Sequence, residues 1–220
     1  PEEFYFDKAA KILYYYKSEN EDLKTAEVIA PVLEKIINIS GESISNQVSN
    51  ITFDGITFSH NNYLLMHGGT FGSTTVQSIA MNYKYRNDGN WHKSQYNNTR
   101  PMDAAIELKN VEKICFLNNK FINLTGVGLS LLNDAVECRI IGNIFKDISS
   151  SAINIGHPQH YKIGDGEIFG AGLEGACNNN TIRNNLLRNL SYEHISSAGI
   201  SIFFVAGTDL SHNDLSGTPY

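Results

Sequence analysis

The residues of this chain best suited to chemistry are carboxylates gathered in two short stretches. H-P-Q-H-Y-K-I-G-D-G-E (157–167) brings together His157, His160, Asp165 and Glu167, and Glu174 follows closely. Tyr192-Glu193-His194 forms a second, smaller cluster. Two carboxyl groups, one protonated and one ionised, are what cleavage of a glycosidic bond requires. They stand roughly 5–5.5 Å apart when configuration is retained and about 6.5–9.5 Å apart when it is inverted. Asp165, Glu167 and Glu193 are therefore the candidate catalytic carboxylates, with His157, His160 and Glu174 as candidate substrate contacts. A plainer reading stands beside this one: Asp165-Gly166 has the composition of an ordinary turn, and 192–194 that of an exposed one.

The stretch from His60 to Arg100 is rich in aromatics, among them Tyr63, Phe71, Tyr83, Tyr85, Tyr96 and the single tryptophan, Trp91. Rings on a polar loop can stack on sugar rings or pin the loop to a scaffold. Trp91 and Tyr96 are the candidates for the first role. The residues give little else. The seven histidines show no paired spacing for a metal, and clustered carboxylates of the calcium-binding kind cannot be assembled, so no metal or cofactor is expected. Cys115, Cys138 and Cys177 are odd in number and far apart, which fits buried thiols. A lyase would want a basic residue beside acidic groups, and Lys162 is the nearest one. Asp134, His212 and Asp214 sit at strand ends or corners, where packing is the expected role. Triplets such as Asn123-Leu124-Thr125 and Asn189-Leu190-Ser191 match a glycosylation signal but coincide with corners of the repeat described next.

What positions these residues is a repeat. F-L-N-N-K-F (116–121), I-I-G-N-I-F (140–145), I-R-N-N-L-L (182–187) and L-S-H-N-D-L (210–215) align without gaps, with Asn119, Asn143, Asn185 and Asn213 in register. I-T-F-D-G-I-T-F (51–58) is a degenerate earlier copy in which Phe53 and Phe58 hold the apolar positions. Alternating apolar residues lie upstream of each asparagine. A second alternating run follows: G-L-S-L-L-N (128–133), A-I-N-I-G-H (152–157) and G-I-S-I-F-F (199–204). Period-two alternation over four to seven residues signals short strands. A unit of about 24 residues with two or three such strands forms one coil of a solenoid. Neighbouring coils then stack about 4.8 Å apart, so aligned asparagines can bond to one another along the axis. Gly55, Gly126 and Gly142 suit sharp corners. The 192–194 cluster comes at the stage of the next repeat that corresponds to the 157–167 insertion, which would set the two loops side by side.

Composition agrees with an all-β coil. The chain has 220 residues, 25 of them asparagine, and a net charge of −6. Asparagine is poor in helices and depleted from ordinary strands, so such a surplus needs a geometric cause. The acidic balance, with no clustered Lys and Arg, argues against a nucleic-acid partner. No run of about 18 apolar residues is present, so no membrane-spanning helix is expected. Residues 1–45 read as a strand segment leading into or capping the coil, and 46–220 as the coil itself. Insertions interrupt it at about 60–100 and 157–176.

P-E-E-F-Y-F-D…L-Y-Y-Y (1–16), A-E-V-I-A-P-V-L-E (26–34), V-S-N-I-T-F-D-G-I-T-F-S-H (48–60), A-A-I-E-L-K-N-V-E-K-I-C-F (104–116) and H-N-D-L-S-G-T-P-Y (212–220) carry a family resemblance. They resemble bacterial right-handed parallel β-helix proteins of the pectate-lyase-like superfamily, and within it the glycoside hydrolase family 141-like enzymes. The resemblance implies a right-handed parallel β-helix, a polysaccharide or oligosaccharide partner, a periplasmic or extracellular setting, and a natural polypeptide longer at both ends. The superfamily hosts hydrolases, lyases and non-catalytic adhesins, and fold alone does not choose among them. The leading expectation is a glycoside hydrolase working through two carboxylates. A non-catalytic glycan-binding or adhesion protein and a polysaccharide lyase are the alternatives.

Overall fold

A computed structural model describes residues 3–63, 79–81, 99–156 and 175–219. The described residues contain no helix. Three parallel sheets of five strands each build the coil. Sheet I stacks Thr52–Asp54, Cys115–Leu117, Arg139–Ile141, Thr181–Arg183 and Asp209–Ser211. Sheet II stacks Thr57–Ser59, Lys120–Leu124, Ile144–Ile148, Leu186–Leu190 and Asp214–Ser216. Sheet III stacks Ile37–Ser40, Ala104–Lys109, Val127–Leu131, Ile153–Ile155 and Ile200–Ile202. A short fourth ladder (Val48–Ser49, Val111–Glu112, Ala135–Val136) continues through bridges at Asn178 and Ala206. The chain visits the sheets in the same order on each turn, so this is a parallel β-helix.

Alternation sends one row from each strand into the coil. Phe53, Phe116, Ile140 and Ile182 pair in register on sheet I, and Phe58, Phe121, Phe145 and Leu187 on sheet II. Ile106, Leu129, Ile153 and Ile200 do the same on sheet III. Stacking like on like makes the core a set of columns: Phe121 and Phe145 lie with ring centroids 4.4 Å apart at 6°, and Phe53 and Phe116 at 4.8 Å and 13°. The repeat asparagines run beside these columns at the corner between sheets I and II. The Oδ1 of Asn143 accepts the backbone N–H and the Nδ2 of Asn119 (2.8 and 3.1 Å), while its own Nδ2 donates to Phe116 O and Asn185 Oδ1 (2.9 and 3.0 Å). Asn119, Asn185 and Asn213 repeat the pattern.

The left-handed corner residue is the one before each ladder position, which is Ile56 in the first copy and asparagine in the others. Gly55, Asn118, Gly142, Asn184 and His212 all have φ between 55° and 71°. Two further corners per turn do likewise, at Asn50, Lys113, Glu137, Asn179 and Gly207, and at His60, Asn123, Asp147, Asn189 and Gly217. Positive φ costs an ordinary side chain roughly 1–2 kcal/mol, and asparagine and glycine avoid most of it. The asparagine surplus thus has two causes, ladder bonds and corner backbone.

The chain divides into two compact units, 1–30 and 31–220. The first holds an antiparallel hairpin of Glu3–Asp7 with Ile12–Tyr16, rich in exposed aromatics. Residues 26–33 form no strand. Ile37–Ser40 already stacks on Ala104–Lys109.

Candidate functional site

The outward faces of the three sheets differ. On sheets I and II the outward rows carry exposed charges such as Arg139, Arg183, Lys120 and Lys146. On sheet III the register aligns Asn38, Glu107, Ser130, Asn154 and Ser201 in one outward row. These residues point away from the core, yet Glu107, Ser130, Asn154 and Ser201 are all buried. Buried polar atoms are normally paired. Here the Ser130 hydroxyl and both polar atoms of the Asn154 amide have no hydrogen-bond partner. Their apolar neighbours explain how they are held: Leu129, Leu131, Ile153 and Ile155 are fully buried on the other side, which locks strand register and orientation.

A charged group stands at one end of the row. Lys35 Nζ lies 2.5 Å from Glu107 Oε2 and 3.6 Å from Asp103 Oδ1, and Glu107 Oε1 also accepts the N–H of Ala104 at 3.1 Å. Burial works against the charge on Lys35, but the hydrogen bond and charge of Glu107, followed by those of Asp103, outweigh it and raise its pKa. One ammonium thus serves two carboxylates, an arrangement suited to fixing them in place.

Both long insertions border this sheet. Residues 64–98 come between sheet II and the strand Ala104–Lys109, and 157–174 follow Ile153–Ile155 at the opposite end of the sheet III strands. The third elaboration is the turn 191–198, at the corner where 124–127 and 148–151 pass directly. It folds back over the earlier turns. The N–H groups of Glu193 and His194 donate to Ser149 O (3.3 and 3.0 Å), and the His194 ring meets Tyr63 edge-on at 6.3 Å. Ser150 and Ser197 hydroxyls bond at 2.8 Å, and Ser151 Oγ donates to Ala198 O. Burial holds the His194 pKa below its usual value, against the opposing charge of Glu193.

Of the carboxylates singled out in the sequence, Glu193 is described, and it is exposed at the tip of this turn. Asp165, Glu167, His157, His160, Glu174, Trp91 and Tyr96 lie outside the described residues, as does Lys162. The register corrects one expectation. The 192–194 cluster occupies the corner entering sheet III, shared with the His60–Arg100 insertion, whereas 157–174 leaves from the strands' far end. Asp134 and His212 are corner residues with φ of 52° and 55°, and Asp134 Oδ2 accepts Gln47 Nε2 at 2.7 Å. Asp214 pairs with Arg188 at 2.5 Å on the outer face of sheet II. Among the described residues no group of His, Cys, Asp and Glu could hold a metal ion, and no helix is long and apolar enough to cross a membrane.

The outward row of sheet III was missed in the sequence, although a signal existed. Ser130, Asn154 and Ser201 are the single polar residues inside G-L-S-L, A-I-N-I and G-I-S-I, and Glu107 sits likewise in A-I-E-L. One polar residue at the same strand position in each copy marks an outward column.

A scan of known family models finds none that matches this chain, and a search of curated proteins finds no match. A solved structure named "Glycoside hydrolase" is similar, with a TM-score of 0.70, 23% identity and 90% of this chain covered. At that identity the likeness shows the fold alone. The chain spans about a third, 35%, of the length of that structure.

Proposed function

We propose that this chain is part of a carbohydrate-active enzyme, a glycoside hydrolase whose substrate, a polysaccharide or oligosaccharide, lies over the outward face of sheet III. The observation that carries the reading is the outward row itself, buried, polar and in part unpartnered, on the one large sheet that both long insertions border. Amides and hydroxyls with free bonding capacity suit a ligand made of hydroxyls. The fold shared with a glycoside hydrolase supports the same reading by analogy.

Asp165, Glu167 and Glu193 remain the candidates for general acid and for base or nucleophile. At about 3.3 Å per residue, the corners at either end of a sheet III strand are roughly 16 Å apart. A pair drawn from opposite corners must therefore lean in over the sheet to reach the 6.5–9.5 Å of an inverting mechanism. A pair within 157–174 needs no such reach. Glu107 and Asp103 are assigned to positioning, because the Lys35 ammonium occupies both. A periplasmic or extracellular setting, where polymeric glycans are found, belongs to the same proposal.

The test is a reducing-sugar screen of the protein against plant and host polysaccharides, repeated with Asp165→Asn, Glu167→Gln and Glu193→Gln. Release of sugar that falls at least about 100-fold in one or two of these variants supports the assignment. Glycan binding without release by the wild type would replace it with the non-catalytic reading.

A further inference from the structure

We infer that this chain forms a two-fold dimer in which the strand Ile12–Tyr16 of one protomer pairs edge to edge with the same strand of its partner. This dimer is independent of the carbohydrate reading and is carried by the unit 1–30. The sheet there has two strands of five residues each, Glu3–Asp7 and Ile12–Tyr16, and among the described residues neither has a second neighbour. A lone two-stranded hairpin is marginal in water, and three or more strands with an apolar face are needed for it to stand by itself. The eight side chains at 4–6 and 12–16 are 38% to 74% exposed. At about 200 Å² for a side chain of this size, they leave about 800 Å² open. That exceeds the roughly 300–600 Å² of the largest apolar patch on an ordinary monomer. It also matches the share, about 800 Å², that each partner brings to a standard interface.

The two free edges are not alike. Glu3–Asp7 carries a carboxylate at each end, so antiparallel pairing with its own copy would set Glu3 against the partner's Asp7, a like-charge pair. Ile12–Tyr16 reads I-L-Y-Y-Y and holds neither a charge nor a proline, the devices that usually guard an edge. A regular, apolar edge of this kind is a template for another strand. A two-fold axis through Tyr14 brings it beside the partner's Tyr14, Leu13 beside the partner's Tyr15, and Ile12 beside the partner's Tyr16. The product is a four-stranded antiparallel sheet with the two copies of Ile12–Tyr16 in the middle. Lys11 and Lys17 fall just beyond the paired run, where Lys11 faces the partner's Lys17, so added salt strengthens the pairing.

Sedimentation velocity on the whole chain from about 1 to 100 µM should show a monomer–dimer equilibrium that moves toward dimer as salt is added. Tyr14→Lys sets two ammonium groups on the axis and should weaken association at least about 10-fold. A disulfide probe keeps the test decisive should that substitution unfold the hairpin. In a Cys115→Ser background, Tyr14→Cys places two thiols on directly opposed residues, with Cα atoms about 4.5–5.5 Å apart, within reach of a disulfide. Tyr5→Cys, comparably exposed on the outer strand, places them three strand spacings, about 14 Å, apart. Mild oxidation should therefore cross-link Tyr14→Cys and leave Tyr5→Cys single. A wild type that stays monomeric over the whole range overturns the dimer. A dimer undiminished in Tyr14→Lys, or equal cross-linking at the two positions, overturns the pairing of Ile12–Tyr16. Each of these outcomes leaves the carbohydrate reading standing.

Discussion

Truncating Asn143 to alanine should destabilise the middle of the coil far more than the same change at Asn213. The Asn143 side chain makes four hydrogen bonds: two accepted from Asn119, one donated to Phe116 O and one to Asn185 Oδ1. Two of those partner atoms keep other company, since Asn119 Nδ2 still reaches Phe53 O and Asn185 Oδ1 still accepts Asn143 N–H. The Asn119 N–H does not, and Asn119 is fully buried. One orphaned buried donor costs about 1–3 kcal/mol, and the weakened remainder adds about 0.5–1.5 kcal/mol per bond. The sum is about 2.5–7.5 kcal/mol. Asn213 bonds the same way to Asn185 and Ile182 but is only half-buried, so water can replace it and the cost falls to about 1 kcal/mol. Stacked repeats open locally, which makes a global melting curve a blunt instrument. Hydrogen exchange at the Asn119 amide is the sharper one. It should quicken by at least about 100-fold in Asn143→Ala, in keeping with tenfold per 1.4 kcal/mol, and stay unchanged in Asn213→Ala. Equal losses of stability in the two variants, or an Asn119 amide that exchanges as slowly as before, would refute the ladder as the element holding successive turns in register.

Other consequences follow from the corners, the folded-back turn and the thiols. At Gly156 a Cβ would collide with Phe203 O and φ is +83°, whereas at Gly55 φ is +71° with open space. Gly156→Ala should therefore cost more than about 3 kcal/mol and Gly55→Ala about 1 kcal/mol, measured by urea denaturation. His194 favours its neutral form in the folded state, so its contribution is complete above the unfolded value near 6.5 and is lost as pH falls from there toward the lowered folded pKa. The protection of the Glu193 and His194 amides, taken relative to the intrinsic exchange rate at each pH, should then fall below about pH 6, and His194→Phe should abolish that fall. Burial pushes the Cys138 thiol up to about 12 and Cys177 to about 11, so a thiol reagent at pH 8 should label Cys115 first in the native protein and the other two only on unfolding.

How far the sequence speaks depends on whether a signal is local. The ladder asparagines were legible because the same residue type recurs between apolar flanks, and their backbone and side-chain bonds form as the spacing implies. The degenerate copy at 51–58 was legible through Phe53 and Phe58, which stack on Phe116 and Phe121. Fewer of the corners could be read. Lys113, Glu137 and Asp147 adopt positive φ with residue types that do not announce it, because neighbouring turns of the coil overrule their local preference. The placement of Tyr192–His194 was misjudged because spacing in sequence gives the stage of a repeat only when no insertion shifts it. Lys35, Asp103 and Glu107 escaped notice for another reason: the strand at 37–40 reaches its partner only after the whole 60–100 insertion has been threaded.

Asparagine plays two opposite parts in this coil, and the contrast separates scaffold from site. At the corner between sheets I and II, Asn119, Asn143 and Asn185 are buried with donors and acceptors satisfied along the axis. On sheet III, Asn154 is buried to the same degree with none of its side-chain atoms satisfied. Stability alone accounts for the first set, since each amide closes bonds that would otherwise be lost. It does not account for the second, because a leucine in that row would carry no desolvation penalty. Departures from local rules are expected at functional or strained positions, and Asn154, held in place by the fully buried Ile153 and Ile155 on either side, is such a departure.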